Sequence, residues 1–258
     1  MRELPDRVPD GVDFSVPNAA RIYDHALGGY HNFAIDREFW RTAEELVPGA
    51  RGIAHAHRAF LGRAVRELAA LGIRQFLDLG SGLPTLGNVH EAARDADPGA
   101  RVIYVDNDAA TVVQGRALLE REPRVRVIEG DLRRPEDVLY HPEVLDLLDF
   151  AEPVAVLLVD VLHLVPDADR PAEIVARLGE ACVSGSHVVL SHQAPDPEHA
   201  GLPYPMTVFP RTAGELSAIL GDFDIVDPGV VPATDWRPDP LAAETSRPSA
   251  LAAVARKR

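Results

Sequence analysis

Phe76-Leu77-Asp78-Leu79-Gly80-Ser81-Gly82 joins a short apolar run to a Gly-Ser-Gly turn. The run has the length and composition of a buried strand. The two glycines let the backbone turn sharply and approach a ligand with no Cβ in the way. Downstream, apolar runs alternate with helical patterns. Val102 to Val105 ends on Asp106-Asn107-Asp108, Val125 to Glu129 ends at Gly130-Asp131, Val154 to Val159 ends at Asp160, and His187 to Ser191 follows. Helices are expected over Thr85 to Ala96, Ala109 to Leu119, Ala172 to Ala181 and Thr212 to Leu220. Val154-Ala155-Val156-Leu157-Leu158-Val159 is too apolar to have a solvated face, as in parallel strands covered on both sides. This βαβα succession predicts an open, doubly wound α/β sheet with right-handed crossovers. Phe223 to Val226 and Ala250 to Ala255 read as a closing antiparallel pair, making a mostly parallel seven-stranded sheet, although Leu251-Ala252-Ala253-Val254-Ala255 also suits a helix.

Before the sheet, three helical patterns are punctuated by Pro and Gly. They run from Pro17 to Leu27 with Gly28-Gly29 closing the first, from Asp36 to Leu46, and from Ala54 to Leu71. The chain therefore divides into an N-terminal helical cap or lid, residues 1–72, and a core, residues 73–258.

In such sheets ligands bind at the carboxyl ends of the strands, near the point where strand order reverses. Asp78, Gly80, Ser81, Gly82, Asp106, Asp131 and Asp160 all fall there. Asp106 stands about 24 positions beyond Gly82, near the spacing at which an acidic residue meets ribose hydroxyls. A lone Gly-x-Gly is common by chance, and a strand-end Asp is often only a helix cap. Their order on successive strands is what favours a ligand site. A dinucleotide fingerprint wants a third Gly or Ala where this chain has Thr85, preceded by Pro84. An adenosine ligand without phosphates, S-adenosylmethionine (SAM), fits better than NAD(P), so an NAD(P)-dependent oxidoreductase is the weaker alternative.

Composition narrows the choice. A net charge of −14 disfavours nucleic acid as a partner. No apolar run approaches a membrane span, and the first residues offer no signal-peptide core, so a cytoplasmic protein is expected. The only lysine is Lys257, which excludes a P-loop and an internal Schiff-base lysine. The single cysteine, Cys182, reads as a buried inert thiol and rules out an internal disulfide. His55 and His57, two apart, do not share a helix face, and no metal-ligand spacing is present; no metal is expected.

The glycine segment extended to Leu83-Pro84-Thr85, together with Asn88-Val89-His90-Glu91 and Tyr104-Val105-Asp106-Asn107-Asp108, resembles an actinobacterial group of SAM-dependent methyltransferases. So do Pro17-Asn18-Ala19-Ala20-Arg21-Ile22-Tyr23-Asp24, Gly28-Gly29-Tyr30-His31-Asn32-Phe33 and Val159-Asp160-Val161-Leu162-His163-Leu164-Val165-Pro166-Asp167, so the likeness spans nearly the whole chain. The resemblance implies a Rossmann-like class I methyltransferase fold with SAM as cofactor. It sets Gly80, Ser81 and Gly82 against the amino-acid part of SAM, with Asp78 at its ammonium. Asp106 then falls at the ribose, Asn107 beside the adenine, and Asp131 and Leu132 around the adenine. Asp160 and His163 fall near the methyl. His163 is either a general base or a satisfied structural histidine, and Asp160 either a cap or a site residue; His90 reads as structural. In methyltransferases an N-terminal helical segment often folds over the cofactor, which gives Arg21, Tyr23, Asp24, Gly28, Gly29 and Asn32 a site role, the plain alternatives being a helix cap and surface residues.

The expected activity is methyl transfer to a small-molecule acceptor. Asp160-Val161-Leu162-His163 lacks the Asn/Asp-Pro-Pro-aromatic sequence typical of amide or base N-methylation. A non-catalytic SAM sensor or scaffold is the alternative from another class. The proline-rich loop Ala194 to Pro210 and the stretch Pro232 to Pro240, with Trp236, are either walls of the acceptor pocket or ordinary connections.

Overall fold

The computed structural model describes residues 15–196, 207–238 and 249–258. Three helices come first, α1 (Ala19–Ala26), α2 (Ala34–Leu46) and α3 (Ala50–Ala70). The alternating part runs β1 (Gln75–Leu79), α4 (Val89–Arg94), β2 (Arg101–Asp106), α5 (Ala109–Leu118), β3 (Val125–Glu129), α6 (Pro135–Leu139), α7 (Pro142–Leu147) and β4 (Ala155–Val159). It continues through α8 (Pro171–Ala181), β5 (His187–Gln193), α9 (Ala213–Leu220), β6 (Asp224–Ile225), β7 (Val231–Pro232) and β8 (Ala250–Arg256).

The sheet order is β3-β2-β1-β4-β5-β8-β6, with β7 also on β8. Strands β1 to β5 pair in parallel, and β8 runs antiparallel to β5, β6 and β7. Strand order reverses between β1 and β4, so the crevice at the sheet's carboxyl edge opens beside Gly80 and Asp160. The closing antiparallel pair is present, as β6 and β8. The eighth strand was not expected. It arises because the turn at Gly229, whose amide donates to the Val226 carbonyl, splits the partner of β8 into two short pieces.

The helix-friendly Leu251 to Ala255 segment is a strand because its side chains divide by the period of two. Ala253 and Ala255 pack into one core layer, Ala252 and Val254 into the other. The same alternation governs β1. Phe76 joins the layer beneath α3 and α4, while Leu77 and Leu79 join the layer beneath α8 and α9. All three are fully buried, each worth roughly 1.5–3 kcal/mol relative to exposure. Asp78 shares the side of Phe76 and thereby faces α3.

Two boundaries differ from the sequence reading. Helix α4 begins only at Val89, because Pro84 and Gly87 (φ +61°) hold the preceding segment out of the helix. Helix α3, grouped there with the cap, lies on the sheet through Phe60, Leu61, Ala64, Val65 and Leu68. The extension that stands apart is α1 and α2. These share a small core of Ile22, Ala26 and Trp40 with Ala54 of α3.

Candidate functional site

At the end of β1 the chain leaves the sheet through Gly80 (φ +69°) and Gly82 (φ +62°), a region that favours glycine. A Cβ on Gly80 would collide with the Val161 side chain. The loop is strapped to β2: Gly80 and Ser81 donate to the Val105 carbonyl at 2.8 and 3.0 Å, and Gly82 N donates to Asp106 Oδ2 at 2.9 Å. Asp106 Oδ1 accepts from Asp108 N at 3.0 Å. Burial raises the pKa of Asp106, opposed by these amide bonds. At the next strand end Asp131 pairs with Arg133 at 2.6 Å, and that guanidinium holds its carboxyl below the usual range.

Asp160 follows β4 at φ +54°, a left-handed conformation uncommon outside glycine. Its amide donates to both the carbonyl and the hydroxyl of Ser191, each at 3.1 Å. Two buried imidazoles approach its Oδ1, His57 Nε2 at 3.2 Å and His163 Nδ1 at 3.3 Å. Burial lowers the pKa of both histidines, which the Asp160 charge only partly offsets, so both are held neutral at pH 7.

These strand ends border one cavity of about 1090 Å³. Its wall includes Asp78, Gly80, Ser81, Gly82, Asp106, Asn107, Asp131, Leu132, Asp160 and His163, which the structure thus brings together. Across from them α1, α2 and α3 contribute an apolar wall of Ile22, Phe39, Trp40, Val47 and Ile53. Tyr23 is also on the wall, its hydroxyl donating to the Ala54 carbonyl at 3.1 Å beneath the Arg58 guanidinium. Burial pushes the Asp78 carboxyl up to about 7, with Arg58 pulling the other way.

Arg21, Gly28, Gly29 and Asn32 do not line this cavity; they build the cap. Arg21 is buried against Asp36, Nε to Oδ2 at 2.8 Å. Gly28 (φ +85°) closes α1, and a Cβ on Gly29 would strike the Asp24 carboxylate. Asp24 accepts from His31 N and Asn32 Nδ2, each at 2.8 Å, and from Thr85 Oγ1 at 2.6 Å. That last bond ties the cap to the segment following the glycine loop. Thr85, standing where a dinucleotide site would need glycine, holds the cap.

Trp236 is also off the cavity, buried edge-on against Phe60 at 5.2 Å. In the proline-rich loop, Ala194, Pro195, Asp196, Thr207, Val208 and Pro210 line the cavity, the Phe209 amide donates to the His163 carbonyl at 2.7 Å, and residues 197–206 lie outside the described residues. Among the described residues, no group of three or more His, Cys, Asp or Glu is arranged to hold a metal, and no helix is long and apolar enough to cross a membrane. The sequence reading missed His57, Arg58 and the apolar wall. These come from α1, α2 and α3 and reach the strand ends only through tertiary packing.

An open sheet with this order, a glycine loop after β1 and a half-buried carboxylate at the end of β2 define a Rossmann-like, nucleoside-binding transferase fold of class I. The chain belongs to the S-adenosyl methyltransferase family, whose profile matches residues 5–258. It is similar to a Thermobifida fusca protein described as a candidate methyltransferase, with 39% identity over 97% of this chain and 98% of that one and a TM-score of 0.88. It is also similar to a DUF574 family protein from Streptomyces avermitilis, with 35% identity over 95% of this chain and 99% of that one and a TM-score of 0.90. The SAM-dependent methyltransferase SibL shares the fold at 14% identity and a TM-score of 0.54, over 87% of this chain and 59% of that one. No curated protein matches the sequence. The protein is a SAM-dependent methyltransferase, and the nicotinamide alternative is set aside.

Proposed function

We propose that this methyltransferase acts on a small, largely apolar acceptor, and that the cavity holds cofactor and acceptor together. The observation carrying this reading is the continuous cavity of about 1090 Å³, lined both by the polar strand ends and by the Phe39, Trp40 and Val47 wall. A site for one drug-sized ligand occupies roughly 300–1,000 Å³, so there is room beyond the strand ends. The residues fit the cofactor. The glycines at 80 and 82 leave backbone open to its amino-acid part, the half-buried Asp106 carboxylate suits ribose hydroxyls, and Asp131 with Leu132 and Asn107 suits adenine. Bound there, the cofactor supplies an electrophilic methyl group on a sulfonium. The chain's own tasks are to orient the acceptor, exclude water and take its proton. Asp160 and His163 are the groups placed for the proton. A net charge of −14 supports a small molecule over nucleic acid.

Transfer of radiolabelled methyl from SAM to a panel of hydroxylated and amino aromatics, duplex DNA and a protein extract tests this reading. Label is expected on small apolar compounds. Label on nucleic acid or protein alone would overturn it.

Asp78 gives a second expectation. Its folded pKa of about 7 stands above the ordinary aspartate value of 3.8. The folded protein holds this proton more tightly than the unfolded chain, so the contribution to stability is present below about pH 4 and lost as pH rises to about 7. A cofactor ammonium beside the carboxylate favours the ionised form. Below pH 7 binding must then expel the proton, and affinity for S-adenosylhomocysteine is expected to fall about tenfold per pH unit well below pH 7. Calorimetric titration from pH 5 to 8 should show this slope in the wild type and not in Asp78→Asn. A flat wild-type profile would remove Asp78 from the ammonium site.

A further inference from the structure

Three buried polar atoms, His57 Nε2, Asp160 Oδ1 and His163 Nδ1, converge after β4 without an aligned hydrogen bond to any group. Hydrogen bonds of a proton-transfer site are often loose before the ligands arrive, and the surrounding bonds settle where the protons lie. Ser191 Oγ accepts from the Asp160 amide at 3.1 Å and stands 2.8 Å from His57 Nδ1. A hydroxyl has one proton to give. Were His57 protonated at Nδ1, its Nε2 lone pair would face the Asp160 carboxylate oxygen at 3.2 Å, two buried acceptors in contact. The alternative avoids that contact. Ser191 donates to His57 Nδ1, and His57 Nε2–H points at Asp160 Oδ1. By the same reasoning His163 carries its proton on Nδ1, toward Asp160, and its lone pair lies on Nε2.

The next imidazole agrees. His192 Nδ1 lies 2.8 Å from the Gln193 carbonyl and must donate to it, while His192 Nε2 lies 3.1 Å from an Arg211 guanidinium nitrogen and must accept. Its ring stands edge-on to His163 at a centroid distance of 5.9 Å.

We propose that Ser191 and His57 are positioning residues that fix the orientation of Asp160 and so the proton-accepting state of His163, and that the acceptor therefore carries an O–H or N–H to be deprotonated. This rests on the reading of Asp160 and His163 as the groups that take the acceptor's proton. In the step itself the O–H or N–H bond breaks heterolytically and its electron pair stays on the heteroatom. The proton goes to His163 Nε2, and the resulting imidazolium is stabilised by Asp160. Acceptors with no such proton, such as thioethers or tertiary amines, gain nothing from this arrangement. The charged and titratable groups around the pair are His57, Tyr23, His192 and Arg211.

Long-range proton–nitrogen NMR of full-length, ¹⁵N-histidine-labelled protein with S-adenosylhomocysteine reads the tautomers directly. Neutral Nε2–H at His57 and neutral Nδ1–H at His163 are expected at pH 7. The Nδ1–H form at His57, or the Nε2–H form at His163, overturns the proposal. His57→Leu removes the donor to Asp160 and leaves the carboxylate freer to hold a charged His163, so the His163 titration should move up by about one pH unit. In His57→Gln an amide can still donate, and the midpoint should stay near the wild-type value. Equal midpoints in both variants would count against a positioning role. A His163→Ala protein that labels its acceptor at the wild-type rate would sink the proton-acceptor reading instead, while the tautomers stood.

Discussion

Asp106→Ala is expected to weaken binding of S-adenosylhomocysteine at least about a hundredfold while leaving the protein folded. In the free protein one carboxylate oxygen accepts from Gly82 N and the other from Asp108 N. A carboxylate offers about four lone-pair sites, so two remain for a pair of ribose hydroxyls. Hydrogen bonds to a charged group are worth about 1.5–3 kcal/mol each, and about 1.4 kcal/mol is a factor of ten. Losing two of them outweighs any gain from removing a carboxylate whose burial already disfavours its charge. The variant also frees the Gly82 amide and loosens the glycine loop, which acts in the same direction. Asp106→Asn separates the two effects, because its amide oxygen can still accept from one of the two backbone groups. Calorimetric titration of the three proteins should rank them wild type, Asn, Ala. An Ala variant within about threefold of wild type would remove Asp106 from the ribose site.

The strand-end residues were legible because their signal is local. Each apolar run ends in a polar residue or glycine, and an open α/β sheet sends those ends to one edge. Thus Asp78, Gly80, Asp106, Asp131 and Asp160 could be placed on one cavity from the order of elements alone. Arg21 and Asn32 show where such reasoning fails. A polar residue in a distinctive motif reads the same whether it serves a ligand or a buried ion pair or hydrogen bond, and here Asp36 and Asp24 claim them. His57 shows the converse. Its two-residue spacing from His55 carries no helical-face signal, and its meaning depends on Asp160, about a hundred residues away on another element. Trp236 had the composition of a pocket wall but fills the core against Phe60.

The cap is where a single substitution should have its largest effect on order. Asp36 is fully buried and accepts from Arg21 Nε and Phe33 N at 2.8 Å and from Asn18 N at 3.0 Å. It thereby joins the start of α1 to the start of α2. Among the described residues, Asp36→Ala leaves the buried Arg21 guanidinium with the Val16 carbonyl at 2.7 Å and the Phe33 ring. Removing one partner of a buried pair costs about 3–5 kcal/mol, whereas replacing both by apolar groups is often neutral. The loss should fall on α1 and α2, whose shared core is only Ile22, Ala26, Trp40 and Ala54, and not on the sheet with its two extensive layers. Hydrogen exchange across residues 19–46 is therefore expected to quicken at least about a hundredfold, with β1 and β4 still protected. Arg21→Met combined with Asp36→Leu should restore most of that protection. The same opening should weaken S-adenosylhomocysteine binding, because α1 and α2 supply Tyr23, Phe39 and Trp40 to the cavity wall. If cap and strands instead lost protection together, α1 and α2 would be part of the same cooperative unit as the sheet. Unchanged protection would mean that the buried pair does not hold the cap.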